Sequence, residues 1–282
     1  MLSNPKATAI GVDRNARAAT SILMRIFGVN RVSRAARKTR TATASALRKL
    51  ALGGRRWTVR GHMGATFLLD SVSLVDRSIL LNGGWEEAQI AYLMDTARGF
   101  VGGRSDAIFI DAGAYFGLYA ALMRKSGLFA DVYAFESNPV NFAQLQATLL
   151  LNGMVGTVVA RNVAVTDRAG LSATDYPLPE NRGGINIAAL PEAGGELPFT
   201  VSNLMLDTAF SGVCGRRIVM KFDLQGHERQ ALAGAEALVR NNDVLLQIEI
   251  ENPRDRALSS QIDGMGFRMI RVGRPDFVFV KR

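Results

Sequence analysis

Apolar positions along the chain follow two regimes, and the change comes near residue 57. Before it, apolar residues recur three and four apart: Ala19, Ile22, Leu23, Ile26 and Phe27 in one stretch, Ala46, Leu47, Leu50 and Ala51 in another. Arginines fill the intervening faces, which predicts short basic amphipathic helices. The same composition also fits a solvated, partly disordered tail. From Trp57 the pattern shortens. Trp57–Arg60, Ala65–Asp70 and Ser71–Asp76 read as strands, with turns at 61–64 and 82–84. Trp85–Arg98 reads as a helix with Ile90, Leu93 and Met94 on one face.

Apolar, strand-like runs then lie at 107–111, 131–135, 157–163, 217–222 and 243–250. The first two are followed by helical segments, 116–126 and 139–152. Strand–helix alternation of this kind predicts an α/β fold built on a parallel sheet with right-handed crossovers. Residues 172–205 read as a β-rich insertion. The runs 266–272 and 276–281 form a C-terminal antiparallel hairpin around 273–275. The domain division that follows is a basic N-terminal extension, 1–56, and one α/β domain, 57–282, whose β-rich lead-in is 57–84.

Charge sharpens that division. The chain of 282 residues carries a net +9, but residues 1–60 hold 14 Lys and Arg against one acid, Asp13, a net +13. The remaining 222 residues hold 20 against 24, a net −4, which excludes a uniformly basic nucleic-acid-coating protein. With 48% hydrophobic residues the chain can bury a large core. Lone Cys214 excludes an intramolecular disulfide and a cysteine-cluster metal site, and fits a reducing compartment. No apolar run reaches about 18 residues, so no membrane-spanning helix is expected, and the N-terminus lacks the apolar core of a secretory signal. The expectation is a cytoplasmic protein whose extension is either a solvated tail or a segment that docks on an anionic membrane surface. An Arg- and Ser-rich, acid-poor N-terminus is also the pattern of a mitochondrial transit segment.

The chemistry concentrates at the ends of the strands. In IFIDAGAYFGLYAALMRKSG (108–127) a buried strand ends in Asp111, and a small-residue turn leads into a helix. Gly113 and Gly117 either let the backbone approach a ligand or serve only a tightly packed turn. The second strand ends in Glu136, 25 residues after Asp111, where a carboxylate can accept both hydroxyls of an adenosine ribose. The turn lacks the Gly-x-Gly-x-x-Gly spacing that admits a pyrophosphate, and an acid opens it, so a cationic sulfonium ligand suits it better than a dinucleotide. In KFDLQGHE (221–228) a strand delivers Asp223 to the same edge, and Gly226 turns the chain into a helix. His227, with an unperturbed pKa near 6.5, is a candidate general base, or a residue that bonds to backbone at the helix start. LLQIEIENP (245–253) adds Glu249 and Glu251, which share a face by alternation.

Further segments complete a recognisable order: GGWEEAQI (83–90), FIDAGAYFGLYAAL (109–122), VYAFESNPVNFAQLQATLLLNG (132–153), NVAVTDRAG (162–170), Leu206–Asp207, IVMKFDLQGHERQALAGAE (218–236) and the Gln247–Glu249 strand. In order and spacing the chain resembles the FkbM family of methyltransferases dependent on S-adenosylmethionine (SAM), across roughly residues 80–281. The resemblance implies a Rossmann-like class I methyltransferase sheet and SAM as cofactor. It places cofactor contacts at Asp111, Gly113, Ala114, Tyr115, Gly117, Glu136, Ser137, Asn162, Val163 and Ala164. It also implies transfer to a hydroxyl of a sugar, glycan or small secondary metabolite.

On that reading His227 or Asp223 takes the hydroxyl proton and Glu249 orients the acceptor or the base; no metal is called for. The family usually has Asn where this chain has Tyr115, Pro where it has Ser137, and often Glu where it has Gln225. Tyr115 brings a large ring beside the cofactor's place, to stack on adenine or to fill the pocket. Nucleic acid is a poor acceptor candidate. Asn138–Pro139 is followed by Val140 and Asn252–Pro253 by Arg254, so the Asn-Pro-Pro-aromatic loop is missing, and Cys214 follows Val213 rather than a proline. The alternative is a non-catalytic SAM-fold protein that binds a membrane or partner through its extension.

Overall fold

The computed structural model describes residues 54–174, 182, 187–188, 199–250, 252, 254–273 and 275–282. The basic helices expected before residue 54, most of the 172–205 insertion and Glu251 lie outside the described residues. Among those described, no helix is long and apolar enough to cross a membrane.

The lead-in opens as an antiparallel hairpin, β1 (Trp57–His62) and β2 (Ala65–Asp70), paired in full register from Trp57–Asp70 to His62–Ala65. Ser71–Asp76 is expected as a third strand, and here the structure differs. The Asp70 carboxylate accepts from the Val72 N–H at 3.0 Å, an Asx turn that stops the strand. Ser73 then takes the extended N-cap position of helix α1 (Leu74–Asn82), with Asp76 in its first turn and Gly83 in the left-handed conformation behind it. Short apolar runs do not distinguish strand from helix; the flanking turn decides it.

Helix α2 (Glu87–Val101) buries Ile90, Leu93, Ala97 and Phe100, and leads to the main sheet. Its elements are β3 (Ile108–Ala112), α3 (Leu118–Lys125), β4 (Asp131–Glu136), α4 (Pro139–Leu151), β5 (Val159–Val165), β6 (Leu171–Thr174), β7 (Ile187–Ala188) and β8 (Phe199–Leu204). Then come α5 (Leu206–Ala209), β9 (Arg217–Phe222), α6 (Glu228–Ala233), α7 (Glu236–Arg240), β10 (Asp243–Glu249), α8 (Arg256–Gly264), β11 (Arg268–Gly273) and β12 (Asp276–Lys281).

The strand order is β11-β12-β10-β9-β3-β4-β5-β8-β6-β7. The six strands from β10 to β8 are mutually parallel, while β12 joins β10, and β11 joins β12, antiparallel. This is the expected mostly parallel α/β sheet with its C-terminal hairpin. The helix α8 has no counterpart in the sequence reading; Asp255 caps it by accepting from the Ala257 and Leu258 N–H groups. Strands β3, β9 and β10 are mostly apolar on both faces because both are covered. Phe109, Val219 and Leu245 pack with α2, α3 and the lead-in hairpin, while Ile108, Ile110, Met220 and Leu246 pack under the later helices. Between β3 and β9 the order of connections reverses, and ligands of open α/β sheets bind beyond the carboxyl ends of the strands at such a point.

Candidate active site

A cavity of about 200 Å³, open to solvent, lies at that point. The tips of β3, β4, β9 and β10 supply Asp111, Glu136, Asp223 and Glu249 to its wall, and Glu86 and Tyr119 come from the α2 and α3 side. Gly113, Ala114, Tyr115 and Ser137 line it too. Of the sequence-predicted residues, Gly117, Asn162, Val163, Ala164 and His227 do not.

The turn after β3 is stitched into its neighbours. The N–H groups of Gly113 and Ala114 both donate to the Phe135 carbonyl, at 2.9 and 3.0 Å, and the Asp223 N–H donates to the Ala112 carbonyl at 3.1 Å. Packing by itself already demands both glycines. Gly113 has φ 84°, and a Cβ there would sit 1.8 Å from the Asp223 carbonyl oxygen. Gly117, at φ 86°, would meet Leu145 Cδ1 of α4 at 2.4 Å. Both give the turn its tightness, and the wall beside Gly113 is thereby drawn against β9.

Asp111 is 1% exposed. One carboxylate oxygen accepts from the Ala120 N–H at 3.0 Å, while Oδ1 is buried without a partner. Burial pushes this carboxyl up to about 6. Glu136 is held by the Tyr115 N–H at 2.8 Å and the Asn138 N–H at 2.9 Å, and burial pushes it up to about 7. Asn162 supports this tip from behind, donating to the carbonyls of Glu136 and Ser137 at 2.8 and 2.9 Å. Val163 is partly buried against the core and Ala164 is fully buried.

Tyr115 takes a left-handed backbone, φ 51°, a conformation Asn adopts more readily than Tyr. Its ring does not stand free in the cavity. The hydroxyl donates to Asp76 Oδ1 at 2.9 Å and lies 2.5 Å from Ser73 Oγ, so it ties the turn to the cap and first turn of α1. Asp76 also accepts from Gln144 Nε2 and from the Asp70 N–H, and Arg182 lies 3.5 Å from it. Tyr115 is thus the keystone of a buried polar cluster behind the cavity wall.

On the β9 side, Lys221 is 4% exposed and its ammonium donates to Asp223 Oδ2 at 3.0 Å. Gln225, also left-handed at φ 52°, bridges two carboxyls: its Nε2 donates to Asp223 Oδ1 at 2.8 Å and to Glu249 Oε2 at 3.1 Å. Burial and the neighbouring Asp223 push Glu249 well up. Glu86 accepts from the Tyr119 hydroxyl and from Trp85 Nε1, both at 2.9 Å, and burial raises it as well. His227 lies elsewhere: its Nε2 is 3.2 Å from Thr166 Oγ1, and burial lowers its pKa. Its side chain makes no capping bond to the helix it precedes.

Sequence reasoning missed Lys221, Glu86, Tyr119 and Arg182 as cavity residues. Lys221 and Tyr119 sit inside motifs already quoted, but strand alternation for Lys221 and helical spacing for Tyr119 read them as core positions. Five carboxyls line the cavity against two cations, Lys221 and Arg182. That excess, with an unpartnered buried acceptor at Asp111, fits a cationic ligand and opposes a pyrophosphate.

A family model described as methyltransferase FkbM domain matches residues 111–270. No curated protein sequence matches the chain. Among solved structures, the chain is similar to M. jannaschii TYW2 in complex with AdoMet, with 13% identity, 80% of this chain and 84% of that one covered, and a TM-score of 0.37. It is also similar to a SAM-dependent methyltransferase from Agrobacterium tumefaciens, at 9% identity, 80% and 69% coverage and a TM-score of 0.45. Human methyltransferase 10 domain containing protein matches at 9% identity, 69% and 80% coverage and a TM-score of 0.42.

Proposed function

The chain belongs to the FkbM methyltransferase family and is a SAM-dependent methyltransferase, and on that premise we propose that it methylates a hydroxyl oxygen of a sugar, glycan or small metabolite. The observation that carries the reading is the carboxyl pair Asp223 and Glu249, bridged by Gln225, in the same cavity as Asp111 and Glu136. SAM, when bound, supplies an electrophilic methyl carbon on sulfur. It would give that methyl group to the acceptor oxygen and depart as a neutral thioether. Asp111 and Glu136 would hold SAM: Asp111 offers a buried acceptor to its cationic end, and Glu136 stands at the strand tip suited to a ribose. The hydroxyl proton passes to the Asp223 carboxylate.

Asp223 is better placed for this than His227, whose ring takes no part in the cavity wall. Holding oxygen and carbon in attack geometry contributes up to roughly 7–11 kcal/mol, and a positioned base adds on the order of 10²–10⁴-fold. Incubation with methyl-labelled SAM and a panel of hydroxyl acceptors, with the product resolved by NMR, tests the reading. Label on oxygen, with Asp223→Asn slower by that base factor, supports it. Label on nitrogen or carbon would overturn it.

The basic segment 1–56 is proposed to hold the enzyme at an anionic membrane surface, where glycan or lipid-linked acceptors are presented.

A further inference from the structure

Register places three polar residues in one row across the sheet: Asp111 on β3 is paired with Lys221 on β9, and Lys221 with Gln247 on β10. All three are buried on the face covered by α2 and α3, where strands otherwise carry Phe109, Val219 and Leu245. An isolated lysine buried there would give up its proton. Lys221 is instead faced by acids from three sides. Asp223 follows it at 3.0 Å, Asp111 lies beside it on β3, and Glu86 comes from the start of α2. The face of Tyr119, from α3, lies 4.7 Å from the ammonium. Tyr119 is fixed in turn, donating to Glu86 at 2.9 Å and accepting from Gln247 Nε2 at 3.2 Å, which also donates to Asp276 of β12 at 3.2 Å.

We propose that Lys221 is a positioning residue of the methyl-transfer site: its fixed positive charge keeps Asp223 as the ionised base and leaves Glu249 as the protonated member of the pair. The inference rests on hydroxyl methylation in this cavity. It solves a problem which that reading leaves open. Two adjacent carboxyls do not both ionise readily, and which of them loses its proton first is arbitrary without an asymmetric neighbour. The asymmetry is in the geometry: Lys221 contacts Asp223, whereas Glu249 takes the neutral Gln225 amide, shares a hydrogen bond with Asp223 and is paired across the sheet with a further acid, Asp276 of β12. Burial alone would push Asp223 up, and Lys221 holds it below the ordinary carboxylate range. Burial alone would also push the Lys221 ammonium down, and Asp223 and Asp111 hold it well above its ordinary value. Asp223 then accepts the acceptor's proton while Glu249 donates a hydrogen bond and does not compete for it.

The test is a carboxyl ¹³C NMR titration of the full-length protein, with Asp223 and Glu249 assigned by signal loss in D223N and E249Q. In the wild type Asp223 is expected to ionise before Glu249 as pH rises. In K221M the Asp223 midpoint is expected to move up by roughly 1–3 pH units, and in K221R to stay in place. The acid limb of kcat/KM for oxygen methylation is expected to follow the same shifts. A wild-type titration in which Glu249 ionises first overturns the proposal whatever the variants do. So does a folded K221M whose Asp223 titrates as in the wild type, since a merely structural lysine would leave it there. Failure of oxygen methylation itself would appear separately, as label on another atom with these titrations unchanged.

Discussion

Gly113 shows how close the site comes to being impossible to build from ordinary residues. Its backbone is left-handed, and an added Cβ would overlap the Asp223 carbonyl. Nothing flexible stands there to yield. Gly113→Ala is expected to cost about 3 kcal/mol or more, combining overpacking with the left-handed penalty, and urea unfolding measures it. The sequence marks the glycine but not its reason, because the carbonyl it abuts is 110 positions away in the chain. Tyr115 is a second such case. Read from sequence it is a ring in the cofactor's place; in the structure its hydroxyl is bound to Asp76 and Ser73. Tyr115→Phe is expected to lower stability by about 1–3 kcal/mol, since Asp76 stays buried with one donor fewer. The two raised carboxyls give a pH dependence with a definite sign. Asp111 and Glu136 are partly protonated below about 6 and 7, and a cationic ligand favours their ionised forms. SAM affinity is therefore expected to rise by roughly tenfold between pH 5 and 7.5, the equivalent of about one unit of pKa change, in calorimetric titrations across that range.

At the scale of elements, most of the sheet is legible because parallel strands buried on both faces leave near-continuous apolar runs. The run 217–222 matches β9 residue for residue, and 243–250 differs from β10 by one position. Legibility fails where a local hydrogen bond outweighs the pattern. Ser71–Asp76 carries alternating apolar residues, yet the turn closed on the Asp70 carboxylate ends the strand, and a helix starts at Leu74. Asp207 shows the opposite situation, a motif residue whose position was visible but whose role was not. Its carboxylate accepts from the N–H groups of Ala237 and Leu238, at 3.0 and 2.8 Å, capping α7 from thirty residues away. Asp207→Ala is expected to cost about 0.5–2 kcal/mol, the worth of an N-cap, in thermal or urea unfolding, with SAM affinity unchanged. A change in affinity larger than the loss of stability would mean that α7 also positions the cavity.

For the whole molecule, charge is the property that sequence alone divides most cleanly. Residues 1–60 carry a net +13 and the rest a net −4. An acidic body suits a cavity whose wall carries five carboxyls and whose ligand is cationic. A basic extension suits an anionic surface. Deletion of residues 1–56 is expected to leave SAM binding intact and to reduce sedimentation with vesicles containing phosphatidylserine. The pieces of the site that sequence misses, Lys221, Glu86 and Tyr119, become functional only through neighbours brought from other strands and helices. The central claim is that the carboxyl-edge cavity between β3 and β9 holds SAM through Asp111 and Glu136. Isothermal titration of the full-length protein with SAM tests it most directly. The expected result is one site per chain, weakened at least about tenfold, or 1.4 kcal/mol, in Asp111→Asn and in Glu136→Gln, with both variants folded. Wild-type affinity in both folded variants, or no binding by folded wild type, would contradict it.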